Sequence, residues 1–128
     1  MAESAGLHEP AELLSPATID RHRAIASLQE ELEAVDWYDQ RVDAATDPEL
    51  RALLAHNRDE EKEHAVMTLE WLRRRDPVLD ANLRTYLFST SLVTEVEAGA
   101  EGSSTKTTPD PGAISGSLGI GSLKGEAR

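Results

Sequence analysis

The stretch VDAATDPELRALL (residues 42–54) decides the fold. Asp47-Pro48-Glu49 reads as a helix start. An Asp side chain satisfies free N–H groups of a first turn, and proline at the first helical position has no N–H to lose. Before it, a periodic run reaches back to Ser15-Pro16, a start of the same kind. After it, a second run continues to about Arg75, where Arg73-Arg74-Arg75 suits the negative end of the helix dipole. Two helices of about 30 residues, each over ~40 Å long at ~1.5 Å per residue, are therefore joined by a few residues around Thr46-Asp47. So short a link predicts an antiparallel hairpin. Asp76-Pro77 is a third start, opening a shorter helix over roughly 77–88 with Val78, Leu79, Leu83, Tyr86 and Leu87. Nothing through residue 90 reads as a strand, and VTEVEA (93–98) is ambiguous. The fold class is all-α.

A lone hairpin cannot bury both apolar faces, and small chains need a partner to build a sufficient core. The expected assembly is an obligate oligomer in which two hairpins pair into a four-helix bundle.

The chain has 128 residues, with 24 acids against 13 Lys and Arg, a formal net charge of −11. Such a surface repels nucleic acid and anionic membranes and suits cations. From residue 99 onward, Glu101, Asp110 and Glu126 balance Lys106, Lys124 and Arg128, so the whole excess lies in residues 1–98. Cysteine is absent. That excludes disulfides, zinc–thiolate sites and cysteine nucleophiles. The opening MAESAGLHEPAELL has no basic segment followed by an apolar one, and no apolar run approaches the ~18 residues that span a bilayer. A soluble, cytoplasmic protein is expected.

Three regions follow. Residues 1–98 form the helical domain. Residues 99–116, rich in Gly, Ser, Thr and Pro, read as a flexible linker. Residues 117–128 begin SLGIGSLKG, where Leu118, Ile120 and Leu123 are spaced by Gly and Ser.

The acids fall on distinct helix faces. On the first helix Leu28, Leu32, Val35, Tyr38 and Val42 form an apolar line, and Glu31 falls within it. Two readings stand: the carboxylate reaches solvent at the seam's edge, or it binds a cation, since an unpaired charge in an apolar seam is costly. On the second helix the line runs Leu50, Leu53/Leu54, Asn57, Glu61, His64, Thr68, Leu72. Glu61 and His64, three apart, point the same way, while Asp59, Glu60 and Glu63 point to water or a neighbouring chain.

A Glu-x-x-His alone is common on charged helices. The combination is more specific. Di-iron four-helix bundles take one Glu from each of two helices and a Glu-x-x-His from each of the other two. This chain carries half that set, so two copies would supply all of it. Carboxylate oxygen with imidazole nitrogen and no thiolate suits iron or manganese. Tyr38 is either a hydrogen-bond donor to a ligand carboxylate or a core aromatic. Glu30, Glu33 and Trp37 form an offset line, either a solvated face or a second interface with a weak cation site. His8, His22 and His56 have no comparable surroundings and are assigned no chemistry.

The stretch RHRAIASLQEELEAVDWYDQRVDAATDPELRALLAHNRDEEKEHAVMTLEWLRRRDP, then LRTYLF, and the tail SLGIGSLKGE resemble the encapsulated ferritins, ferritin-like proteins loaded into encapsulin shells. The resemblance covers most of residues 8–90 and the C-terminus. It implies a ferritin-like bundle and a ferroxidase that oxidises Fe(II) with O2 at a di-iron centre between two subunits. The implied ligands are Glu31, Glu61 and His64, with Tyr38 close by, and Glu30, Glu33 and Trp37 line a site where metal enters. It further implies a ring-shaped homodecamer of five dimers, and an encapsulin-targeting peptide that includes Leu118, Ile120 and Leu123. Two other classes remain open: a non-catalytic cargo adaptor, and a di-metal oxidase or peroxidase with another substrate.

Overall fold

The computed structural model describes residues 6–107, which form a single 3-10 turn (Ala11–Leu13) and four helices: α1 (Pro16–Ala44), α2 (Pro48–Arg73), α3 (Pro77–Tyr86) and α4 (Val93–Thr107). No strand occurs among the described residues. The all-α class and the hairpin are as expected.

Each proline-led start forms as its chemistry dictates. Ser15 Oγ accepts from Thr18 N at 3.1 Å, and Asp47 Oδ2 accepts from Leu50 N at 2.8 Å. Asp76 Oδ1 accepts from Val78 N and Leu79 N at 3.1 and 3.0 Å. At the other ends, Arg41, Arg73 and Arg84 lie in the last turns of α1, α2 and α3, beside the unpaired carbonyls.

The chain divides at Arg75 into two units. The first is the α1–α2 hairpin, and three cross-links define its register. Arg51 Nε donates to Val42 O at 3.1 Å beside the turn. Arg58 Nη1 donates to Asp39 Oδ1 at 3.0 Å, and Thr68 Oγ1 donates to Glu31 Oε1 at 3.1 Å. Partners lie nine, 19 and 37 residues apart in sequence, so the helices run antiparallel along their length.

Among the described residues only Ala65 and Leu72 are buried. Leu32, Leu53, Val66 and Met67 are all more than half exposed, Leu32 to 54% and Met67 to 63%. At ~25 cal/mol per Å² of apolar surface, these side chains retain most of their drive for burial.

The second unit holds α3 and α4. Leu87 N closes α3 onto Leu83 O, and Leu92 O then accepts from Glu95 N and Val96 N at the start of α4. Between them Phe88 sits fully exposed at φ 63°. A left-handed conformation costs a non-glycine residue about 1–2 kcal/mol.

Here the sequence reading needs correction. Residues 99–107, expected to open the linker, continue α4, so the boundary at residue 98 falls inside a helix, and the ambiguous segment 93–98 is helical. Glu95, Glu97, Ala98, Ala100 and Glu101 are good helix formers, and Gly99 and Gly102 cost only ~1 kcal/mol each against them. The remainder of the expected linker and the peptide at 117–128 lie outside the described residues.

Candidate metal centre

Glu31 projects from α1 toward α2 and is half-buried. Its Oε1 accepts the Thr68 hydroxyl, which also lies 3.0 Å from the His64 carbonyl oxygen four residues back. Glu31 is thus turned inward onto the line of α2 that carries the other expected ligands. Glu61 Oε1 stands 3.5 Å from His64 Nδ1, with side chains 28% and 46% exposed. The two share a face, as their spacing requires.

The structure therefore brings Glu61 and His64 together and sets Glu31 against Thr68. Thr68 lies seven residues beyond Glu61, about 10 Å along the helix at ~1.5 Å per residue. The three do not converge within one chain. Among the described residues, no group of three or more His, Asp or Glu is close enough to hold a metal ion.

The neighbouring charges are engaged in their own pairs. Glu60 lies between two histidines, His56 Nε2 at 3.9 Å and His64 Nε2 at 4.0 Å. Sequence reasoning gave His56 no chemistry; the signal was its spacing of four from Glu60 and eight from His64. Asp59 is paired with Arg58 at 3.1 Å and Lys62 at 3.6 Å. The hydrogen bond from Arg58 pulls the Asp59 carboxyl below its usual range, and Asp59 with Asp39 raises the Arg58 guanidinium above its own.

Tyr38 is half-buried two turns after Glu31, with the Arg41 guanidinium 5.2 Å from its ring centre. On the offset line, Glu30 and Trp37 are exposed and Glu33 is half-buried. Sequence reasoning placed Thr68 on the inward line but gave it no role. Its hydroxyl, four residues after His64 and facing Glu31, is what it contributes.

At the end of α2, Glu70 accepts from Arg73 at 2.7 and 2.8 Å and from Arg74 at 2.7 Å, which holds its carboxyl down at about 2. Arg75 stacks on Trp71 at 3.9 Å. An open groove beside them is lined by Val66, Met67, Glu70, Trp71, Arg74 and Arg75. No described helix is long and apolar enough to cross a membrane.

Comparison with known proteins identifies the family. The EncFtn-like family model matches residues 6–90. An "Encapsulated ferritin-like protein" of Rhodospirillum rubrum is 61% identical over 134 residues, covering 99% of this chain and 94% of the relative. A "Ferritin-like protein" of Thermotoga maritima is 51% identical over 105 residues, covering 82% and 92%. The "Encapsulin nanocompartment cargo protein EncC" of Myxococcus xanthus is 32% identical over 102 residues, covering 72% and 78%. Among solved structures, the crystal structure of protein ne0167 from Nitrosomonas europaea superposes with a TM-score of 0.67 at 61% identity, covering 69% of this chain and 97% of that one. With Glu31, Glu61 and His64 on a helical hairpin and relatives this close over nearly its whole length, the chain belongs to the EncFtn-like family, the encapsulated ferritins.

Proposed function

We propose that the chain is a ferroxidase that works only as a pair, oxidising Fe(II) to Fe(III) with O2 at a di-iron centre between two subunits. One observation carries this reading: Glu31 meets α2 at Thr68, on the face that carries Glu61 and His64, but about 10 Å from Glu61 along it at ~1.5 Å per residue. A two-fold axis crossing α2 midway between Glu61 and Thr68 sets Glu31 of one copy level with Glu61 of the partner subunit. Two half-sets then become a whole one.

The donor chemistry fits iron. Carboxylate oxygens and one imidazole per chain, with no thiolate, suit Fe or Mn. Glu31 Oε1 is engaged by Thr68, leaving its other oxygen for a cation. His64 presents its ring beside Glu61 rather than in the hairpin interior. The iron is the substrate: it arrives as Fe(II), gives up an electron to O2 and leaves as Fe(III). Glu31, Glu61 and His64 supply the negative charge and the nitrogen donors that favour the more highly charged product. Tyr38, on the inward face of α1, supports a ligand carboxylate in the assembled dimer. Exposed Glu30 and Trp37, with Glu33, form the acidic approach by which Fe(II) enters.

The exposed apolar side chains of the hairpin support pairing, since nothing described in their own unit covers them. We further infer that the dimers form a ring-shaped homodecamer. We assign residues 117–128 as the peptide that carries it into an encapsulin nanocompartment in the cytoplasm, where the oxidised iron mineralises. The cargo name of the Myxococcus relative supports that assignment.

Aerobic Fe(II) oxidation by the protein and by Glu61→Ala and His64→Ala tests the activity. Both variants are expected to fall to the rate of iron in buffer. Equal rates in all three would leave a cargo adaptor as the reading, and slow turnover with Fe(II) but fast turnover with peroxide would leave a peroxidase.

A further inference from the structure

We propose that Thr68 is a positioning residue for the Glu31 carboxylate, a role that rests on the ferroxidase reading above. The Thr68 hydroxyl lies 3.1 Å from Glu31 Oε1 and 3.0 Å from the His64 carbonyl oxygen. A threonine hydroxyl has one hydrogen to give. A bond to a carboxylate is charge-assisted and about twice as strong as one to a neutral acceptor, so ionised Glu31 holds that hydrogen. The carbonyl of His64 receives it when Glu31 moves away. One side chain thus links the carboxylate on α1 to the turn of α2 that carries the histidine.

The carboxylate needs this link. The terminal torsion of a glutamate is broad, so its two oxygens are otherwise free to exchange places. The Thr68 hydroxyl, held against the His64 carbonyl turn of α2, places Oε1 at one point, which directs Oε2 away from Thr68. Burial adds a second reason: Glu31 is half-buried on the helix face it shares with Leu28 and Val35, where an unpartnered charge is costly. The hairpin does not need this bond to find its register, because Arg51–Val42 and Arg58–Asp39 already fix it nearer the turn.

The test is calorimetric titration of the full-length protein with Co(II), without iron or turnover, on Thr68→Val, Thr68→Ser, Asp39→Ala and Glu31→Ala. Valine keeps the shape and removes the donor. Losing an outer hydrogen bond to a metal ligand lowers affinity by about 10–100-fold, and Thr68→Val is expected in that range. Serine is expected to restore most of it. Asp39→Ala loosens the hairpin elsewhere and is expected to leave Co(II) affinity unchanged while lowering the metal-free melting temperature. Wild-type affinity in Thr68→Val, serine as weak as valine, or an equal loss in Asp39→Ala would each overturn the positioning role. Glu31→Ala separates the two ideas. If it weakens Co(II) binding and Thr68→Val does not, only the role of Thr68 fails; if it has no effect, the ligand reading of Glu31 fails with it.

Discussion

Glu61 Oε1 and His64 Nδ1 stand 3.5 Å apart on one face of α2, while the carboxylate of Glu31 faces Thr68 on the same line, one turn past the histidine. Within one chain this is a pair of donors and a separate third. Under the proposed function, metal binding and pairing are one event. Fe(II) or Co(II) is expected to raise the fraction of dimer and higher assemblies, and Glu31→Ala is expected to remove that response. Native mass spectrometry with and without metal checks it, and an assembly state indifferent to metal in the wild type would refute the coupling.

Pairing also depends on apolar surface. Leu32 neighbours Glu31 and is 54% exposed. Leu32→Glu places a charge where a partner subunit would cover the leucine, so it is expected to give a helical monomer without Fe(II) oxidation. Sedimentation analysis and circular dichroism read the two properties separately. A dimer with full oxidation would show that this face stays in water.

Much of this was legible in the sequence, for local reasons. The starts at Pro16, Pro48 and Pro77 were readable because a cap is made by residues two or three apart, whatever else the chain does. The shared face of Glu61, His64 and Thr68 followed from helical period alone. What escaped were features that depend on register or on competing tendencies. The Glu31–Thr68 bond joins residues 37 apart, and its alignment is set at the turn by Arg51 and Val42. Helix α4 escaped because Gly, Ser and Thr outweighed the glutamates and alanines of 95–101 in a composition argument. The exposed left-handed Phe88 has no local signal, since neither glycine nor asparagine marks it.

The cap at the hairpin turn carries a measurable share of stability. Asp47 Oδ2 accepts from Leu50 N at 2.8 Å and heads the 26-residue α2. Replacing such a cap by alanine costs about 1 kcal/mol. Asp47→Ala is expected to lower the metal-free denaturation midpoint by a corresponding amount, with Asp47→Asn recovering most of it. No change in midpoint would mean that the turn is held by Arg51 alone.

Stability should also fall in mild acid at a site remote from the metal ligands. The Glu70 carboxyl, ordinarily near 4.5, is held at about 2 by Arg73 first and Arg74 second. Because its folded value is depressed, its contribution is present above pH 4.5 and is lost as pH falls from there toward 2. Glu70→Gln is expected to be less stable than wild type at neutral pH and to close that gap over this window. The group is open to solvent, so the effect is small. Thermal melts of both proteins across the window decide it, and a constant difference would remove Glu70 from the acid response.

Targeting and catalysis should separate cleanly. Every expected metal ligand lies between Glu31 and His64, whereas the spaced Leu118, Ile120 and Leu123 follow a stretch rich in Gly, Ser and Thr. A short apolar peptide that docks in a groove of a partner binds through its own side chains, independently of a site elsewhere in the chain. Deleting residues 117–128 is therefore expected to abolish loading into a co-expressed encapsulin shell and to leave Fe(II) oxidation by the purified protein intact. Substituting Leu118, Ile120 and Leu123 together by serine is expected to do the same at full length, which separates loss of side chains from loss of reach. Undiminished loading of either variant would place the shell contact on the helical domain, and a fall in oxidation would tie the tail to the metal centre.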